Sequence, residues 1–382
     1  MTTSASITRG FLSGIAILGL LACGGSGSSS SGGSGSMNVH LVDGPIAGYQ
    51  HINVDIQQVQ INGPNGWMTL SSPNQTYDLL SLTNGLSATL AKGATLPAGH
   101  YEQMRLVLGS GNTVVLSSGT TQPLTTPSAL QSGLKLIVSF DVAAGTTADV
   151  FIDFDAAHSI QITQTGASNK YILRPTIRAF DKTATGSVSG KLTDGSNTAI
   201  AGAQVYAETL DGSGSPTIVR SAITASDGTY TLDLLPLGGT YFAVSQPITA
   251  TASYNALASA GFAISSASPT FTWNASFTQA LSTGTVGGSY ATAATADQSD
   301  TVDLIQTLPE GGTAASAKFA IHSQIATVTS TGETYKFTSV PTGDYSVRST
   351  RTTLNADGST TVSAPVTASA TVTANATITV NF

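Results

Sequence analysis

Leu235-Pro236-Leu237-Gly238-Gly239-Thr240-Tyr241 and Val340-Pro341-Thr342-Gly343-Asp344-Tyr345 are two versions of one corner, about a hundred residues apart. The first follows Gly228-Thr229-Tyr230-Thr231-Leu232 and the second follows Glu333-Thr334-Tyr335-Lys336-Phe337. In each, a strand ends at proline, which has no N–H for the ladder. A glycine then supplies a turn with φ > 0, and a tyrosine opens the next strand. Further upstream, Thr185-Gly186-Ser187-Val188-Ser189-Gly190 is echoed by Thr283-Gly284-Thr285-Val286-Gly287-Gly288 at a similar offset. Each copy closes on an alternating strand: Phe271, Trp273, Ala275 and Phe277 in one, Val372, Ala374, Ala376, Ile378, Val380 and Phe382 in the other. A repeat of this length is one small β-sandwich.

The residues before the repeat are also patterned as strands. Ile52, Val54 and Ile56 alternate with polar residues, and Val59 and Ile61 continue on the opposite parity. A one-residue shift flips side chains to the other face, so either a β-bulge near Gln57-Gln58 or a strand that leaves one sheet for the other is expected. Leu134, Leu136, Val138, Phe140 and Val142 alternate cleanly, as do Val150, Ile152 and Phe154. Gly145-Thr146-Thr147 between them suggests a hairpin. Helix is scarce: Pro127 to Ser132 and Asp78 to Leu82 have room for a turn or two each. The expected fold is all-β, with three immunoglobulin- or transthyretin-like sandwiches in series at residues 37–182, 183–281 and 282–382.

The N-terminus belongs to none of them. Phe11 to Leu21 is an uncharged apolar stretch after Arg9, too short to cross a bilayer, and reads as part of a signal peptide over 1–22. Leu20-Leu21-Ala22-Cys23 resembles the lipobox of bacterial lipoproteins, which implies a diacylglycerol on the Cys23 thiol. Gly24 to Ser36 contains only glycine and serine. Residues 23–36 therefore read as a flexible tether that reaches about 20 Å. Cys23 is the chain's only cysteine, so no disulfide is expected and stability rests on the cores. The partner this implies is a membrane. Gly24, in place of an inner-membrane-retaining aspartate, favours the outer one.

Two family resemblances rest on particular segments. Gly186-Ser187-Val188-Ser189-Gly190, Gly202-Ala203-Gln204-Val205, Asp227-Gly228-Thr229-Tyr230 and Leu235-Pro236-Leu237-Gly238 resemble the carboxypeptidase regulatory-like domain, a transthyretin-like accessory sandwich. Residues from 283 resemble it more distantly, with Thr331-Gly332 in place of Asp227-Gly228. Earlier, Leu41-Val42-Asp43-Gly44-Pro45, Asp78-Leu79-Leu80, Leu96-Pro97-Ala98-Gly99-His100-Tyr101, Ile152-Asp153-Phe154-Asp155 and Leu173-Arg174-Pro175 resemble the bacterial lipoprotein domain of unknown function 4382. That resemblance implies architecture and no chemistry.

Charged residues make up only 9% of the chain, against about 25% in an average soluble protein. The net charge is −7 and there is no basic stripe, so nucleic acid has no electrostatic footprint here. His40, His51, His100, His158 and His322 include no pair at metal-ligand spacing. No nucleophile elbow or phosphate-binding loop appears. Asp149, Asp153 and Asp155 share one strand face, where they would either ligate calcium or form an exposed acidic edge. Trp67 and Tyr77 flank a Gly/Pro/Asn-rich segment, where an aromatic side chain could stack on a sugar, although a single tryptophan in a sandwich is more often core. The expected function is a non-enzymatic binding or scaffold lipoprotein of the cell envelope. Alternatives are a glycan-binding or adhesion lipoprotein, an accessory subunit with an envelope protein partner, and an enzyme with an unrecognised site.

Overall fold

The computed structural model describes residues 33–382, apart from 45–48, 64–65, 84, 117, 127–132, 155–158, 166–167, 174–176, 296–297, 330–331 and 355–359. The expected signal sequence, Cys23, most of the tether and the turn at Pro127 to Ser132 lie outside these residues. Among the described residues the structure is strands, short 3₁₀ turns and loops. One correction falls at the start. Strand Ser34–Val42 takes up the last three residues assigned to the tether. Ser36 pairs with both Thr147 and Thr95, so it lies inside a sheet. A Cβ on Gly35 would meet Val142 Cγ1 at 2.5 Å, so this glycine serves close packing.

The proline corner builds all three sandwiches. Tyr241 Oη donates to the Pro236 carbonyl at 2.6 Å and Tyr345 Oη to that of Pro341 at 2.7 Å. In the first domain Tyr101 Oη donates to the Pro97 carbonyl at 2.7 Å. A buried phenol needs a partner, and here it ties the new strand to the end of the old one. The strand before each of the two later corners carries a residue with positive φ: Leu234 at 60° and Ser339 at 57°. Both sit opposite the same register shift, Gly186/Val188 in one copy and Gly284/Val286 in the other. A Cβ on Gly190 or on Gly288 would run into the carbonyl oxygen of Trp273 or Val380, each just past the end of a strand running alongside. Residues 283–382 thus repeat the hydrogen-bond plan of the second sandwich.

In the first domain one sheet has the order Arg178–Asp181, Thr147–Asp153, Ser34–Val42, Ala88–Pro97. The other is built around the long strand Tyr49–Gly63, flanked by Gly66–Ser71 on one side and by Gly99–Leu108, then Leu134–Val142, on the other. The expected bulge is present, as a register shift between Ile56 and Gln58 that returns Val59 and Ile61 to the core. Gly145-Thr146-Thr147 is not a hairpin: Leu134–Val142 and Thr147–Asp153 belong to different sheets. The turn carries the chain across the sandwich. Leu79–Leu82 is a 3₁₀ turn capped by Asp78, whose side chain accepts from the Leu80 N–H.

The three sandwiches follow one another in sequence but pack against each other in space. Tyr241 to Ser245 is buried at every position. Tyr241 and Ala243 belong to the second core, while Phe242 and Val244 join Phe319, Leu304 and Ile321 in the third. The sheet that contains Thr240–Ser245 is therefore covered on both faces, which continuous apolar runs permit. Buried beside that seam, Glu208 accepts the Ala320 N–H at 3.1 Å, and burial pushes its carboxyl far above the usual range. The first domain meets the third through its hairpin Ile160–Thr165/Ser168–Leu173, where Thr163 pairs with Val328.

The third sandwich holds a second sealed acid. Glu333 is 0% exposed and accepts the Ala294 N–H at 2.7 Å, beside the bidentate Asp300–Arg351 pair. Burial, with Asp300 alongside, raises its pKa to about 7. This folded pKa lies above that of unfolded glutamate. The stabilisation is whole below the usual carboxylate range and is lost as pH rises through about 7. Thermal unfolding of the native chain should lose on the order of 2 kcal/mol between about pH 5 and pH 9. Glu333→Gln, which mimics the protonated acid, should flatten that profile. An unchanged slope would assign the pH dependence to other groups.

Candidate functional site

The acidic strand Thr147–Asp153 lies inside a sheet, paired in parallel with Ser34–Val42 and antiparallel with Arg178–Asp181. Asp149 and Asp153 do share a face, with Phe151 between them, but each carboxylate is engaged. Asp149 accepts from Asn38 Nδ2 at 2.8 Å and lies 3.6 Å from His40 Nε2. Asp153 is 3% exposed and pairs with the Arg220 guanidinium of the second sandwich. Asp155 falls outside the described residues. This corrects two readings. The strand is no exposed edge, and Asp153 is half of an interdomain ion pair and not a solvent-facing calcium ligand. Among the described residues no group of three or more His, Cys, Asp or Glu is placed to hold a metal.

Beside this ion pair a cavity of about 280 Å³ opens between the first and second sandwiches, lined by Asp43, Phe151, Lys182, Arg220, Asp233 and Leu234 among others. Arg220 Nε donates to the Asp233 carbonyl at 2.9 Å, and Lys182 Nζ lies 5.2 Å from the Phe151 ring centroid. Burial raises the Asp233 carboxyl, against the pull of Arg220 and Lys182. Asp43 is held by its N–H, which donates to the Leu82 carbonyl at 3.0 Å. Val42, Phe151, Leu234 and Phe180 form a small apolar seam across the same junction. Segments singled out in the sequence for family resemblance, Leu41 to Gly44 and Ile152-Asp153, therefore meet at the wall of the second domain.

Trp67 and Tyr77 are not brought together. Tyr77 pairs with Val54 and packs on the first-domain core. Trp67 pairs with Asn62 on the outward face of the same sheet. There the Arg105 guanidinium lies 4.3 Å from the indole centroid, and Arg105 Nε donates to Gln60 Oε1 at 2.5 Å. Gln60 Nε2 in turn donates to Gln58 Oε1 at 2.6 Å and to Thr69 Oγ1 at 3.2 Å. The row continues across the sheet, with Lys135 directly opposite Arg105 and the 87%-exposed Ile137 opposite Gln103. The described histidines of this domain pair with carboxylates: His51 with Asp78 at 2.7 Å, His100 with Asp141 at 2.9 Å, and His40 with Asp149. His158 lies outside the described residues. His322, in the third sandwich, approaches Gln246 Oε1 at 3.0 Å through Nε2, and burial lowers its pKa to about 4.

Sequence reading missed Arg220, Glu208 and Glu333. A faint signal existed for each. All three are charged residues inside strands of a chain whose charges are sparse, and a charge at such a position is usually paired.

Residues 34–175 match the family model of the domain of unknown function DUF4382, and residues 187–267 match the carboxypeptidase regulatory-like domain. No curated protein matches the sequence. Among solved structures the chain is similar to the Bacillus anthracis TIE protein, at 14% identity and a TM-score of 0.21, over 92% of this chain and 50% of that one. It thus spans half the length of that protein. A Streptococcal ancillary pilin matches at 10% identity and a TM-score of 0.22, over 90% and 98%. The major pilin subunit BcpA of Bacillus cereus matches at 9% and 0.18, over 91% and 99%. Neither family model reaches the third sandwich, whose kinship with the second rests on the strand pairing above. The chain is accordingly an all-β protein in which a segment matching the DUF4382 model precedes one matching the carboxypeptidase regulatory-like domain.

Proposed function

We propose that this protein is a non-enzymatic binding lipoprotein of the cell envelope. In this reading lipid on Cys23 holds it to a membrane, the outer one by the character of Gly24. The first domain carries recognition and the two later sandwiches form its rigid base. The observation that carries the non-enzymatic part is where the two most perturbed acids sit. Glu208 and Glu333, the carboxyls raised most, are 0% exposed and locked into seams between strands. An acid that works on a substrate must reach it. These acids hold strands together instead.

The anchor is tested by replacing Cys23 with alanine. The native chain should partition with membranes and incorporate labelled palmitate. The variant should do neither and should appear in the soluble fraction with its fold intact. Membrane retention of the variant would end the lipoprotein reading. Protease shaving of intact cells then separates a surface-facing adhesion role, which predicts digestion, from a periplasmic scaffold, which predicts protection.

A further inference from the structure

We infer that the outward face of the first domain's larger sheet, around Trp67, Arg105 and Lys135, is a binding site for an extended acidic glycan. The inference rests on the binding-module reading and names its ligand class.

Trp67 is the first sign. Its neighbours Met68 and Leu70 pack against the first-domain core, but Trp67 points the other way and has no place in that core. A large aromatic side chain on the solvent side of a sheet adds no core packing. The Arg105 guanidinium covers one indole face, and the ring's remaining apolar surface suits the C–H side of a pyranose ring. Around it, Gln58, Gln60 and Asn62 from one strand and Gln103 from the next present amides. Each amide can donate and accept, as a row of sugar hydroxyls requires. Gln60 and Gln58 are already ordered by the hydrogen bonds running from Arg105. A ligand would pay less to fix them.

The charge of the ligand follows from the cross-strand pairs. Arg105 and Lys135 stand directly opposite one another. The chain has only 14 basic residues and a net charge of −7, yet it places two of them side by side on this face. An anion laid along this row would meet both cations. Thr69, Gln60, Arg105 and Lys135 form one row across four strands. At about 4.8 Å between strands, the row spans roughly 14 Å, the length of a short run of sugars.

The same face argues against broader polyanions. Toward one end it carries Glu102, Asp141 and His100, the last two paired at 2.9 Å. Those carboxylates would repel a phosphate backbone or an anionic membrane lying across the sheet. A chain that alternates carboxylates with hydroxyls can cross at the cationic row alone.

The test uses the purified full-length protein in affinity electrophoresis through gels containing polygalacturonate, alginate, hyaluronan or dextran, with duplex DNA as a competing polyanion. At least one of the three uronate polymers should retard the native chain and dextran should not. Trp67→Ala and Lys135→Glu should each weaken retardation on the order of tenfold, as expected for losing an aromatic contact or reversing a charge. Both positions are outward-facing, and unchanged melting would show that the variants fold. Four results would overturn the proposal: no retardation by any uronate polymer, equal retardation by dextran, displacement by DNA at equal charge, or retardation that survives both substitutions. None of them touches the membrane fractionation of the Cys23→Ala variant, so this inference can fail while the anchored binding protein stands.

Discussion

Replacing Arg220 with methionine should destabilise the junction of the first two sandwiches by about 3 kcal/mol, measured as a shift in denaturant midpoint. Asp153 is 3% exposed, and in the native chain the Arg220 guanidinium lies against it. Methionine fills similar volume, so little of the loss comes from a void. The cost is a carboxylate kept from water that has lost the Arg220 cation. Arg220→Lys should fall between native and methionine. It keeps the charge but loses the Nε donor that meets the Asp233 carbonyl at 2.9 Å. Adding Asp153→Leu to Arg220→Met should recover much of the loss, because apolar pairs replace buried ion pairs at small cost. A methionine variant within about 0.5 kcal/mol of the native chain would mean that the pair contributes nothing to the junction.

How much of this was legible from the residues depended on range. Parity along one strand was readable: the shift between Ile56 and Val59 placed the bulge that the register confirms. The proline corner was readable too, although its recurrence at Pro97 and Tyr101 emerged only with the hydrogen bonds. Local signals misled where one composition serves two structures. Gly145-Thr146-Thr147 has turn residues, and a turn can cross between sheets as well as fold a hairpin. Ser34 to Ser36 lacks apolar side chains, but main-chain pairing needs none. At the candidate site the alternation of Asp149 and Asp153 was right and its meaning was not. The partner of Asp153 lies in another domain, and a strand pattern carries no information about which distant cation will pack on it. Trp67 and Tyr77 flank one segment in sequence, but their pairing partners, Asn62 and Val54, put them on opposite faces of the sheet.

Phe319→Ala should cost about 3–5 kcal/mol, and the loss should be felt in two sandwiches at once. Phe319 is 0% exposed and its ring centroid lies 5.2 Å from that of Phe242, which comes from the second sandwich. Removing the ring leaves a void where Phe242, Val244, Leu304 and Ile321 converge, and a close-packed interior collapses only partly around such a gap. Beside it, Glu208 depends on the Ala320 N–H for the bond to its Oε2. Any shift of strand Ser316–Ile325 therefore also exposes or strands a buried acid. Hydrogen exchange followed residue by residue separates shared from private cores. Amides of Thr240–Ser245 in the second sandwich should lose protection together with those of Ser316–Ile325 in the third. If only the third sandwich loosens, the sheet between them belongs to the second core alone. If both loosen together, the two modules unfold as one cooperative body, and that body gives the first domain a rigid base.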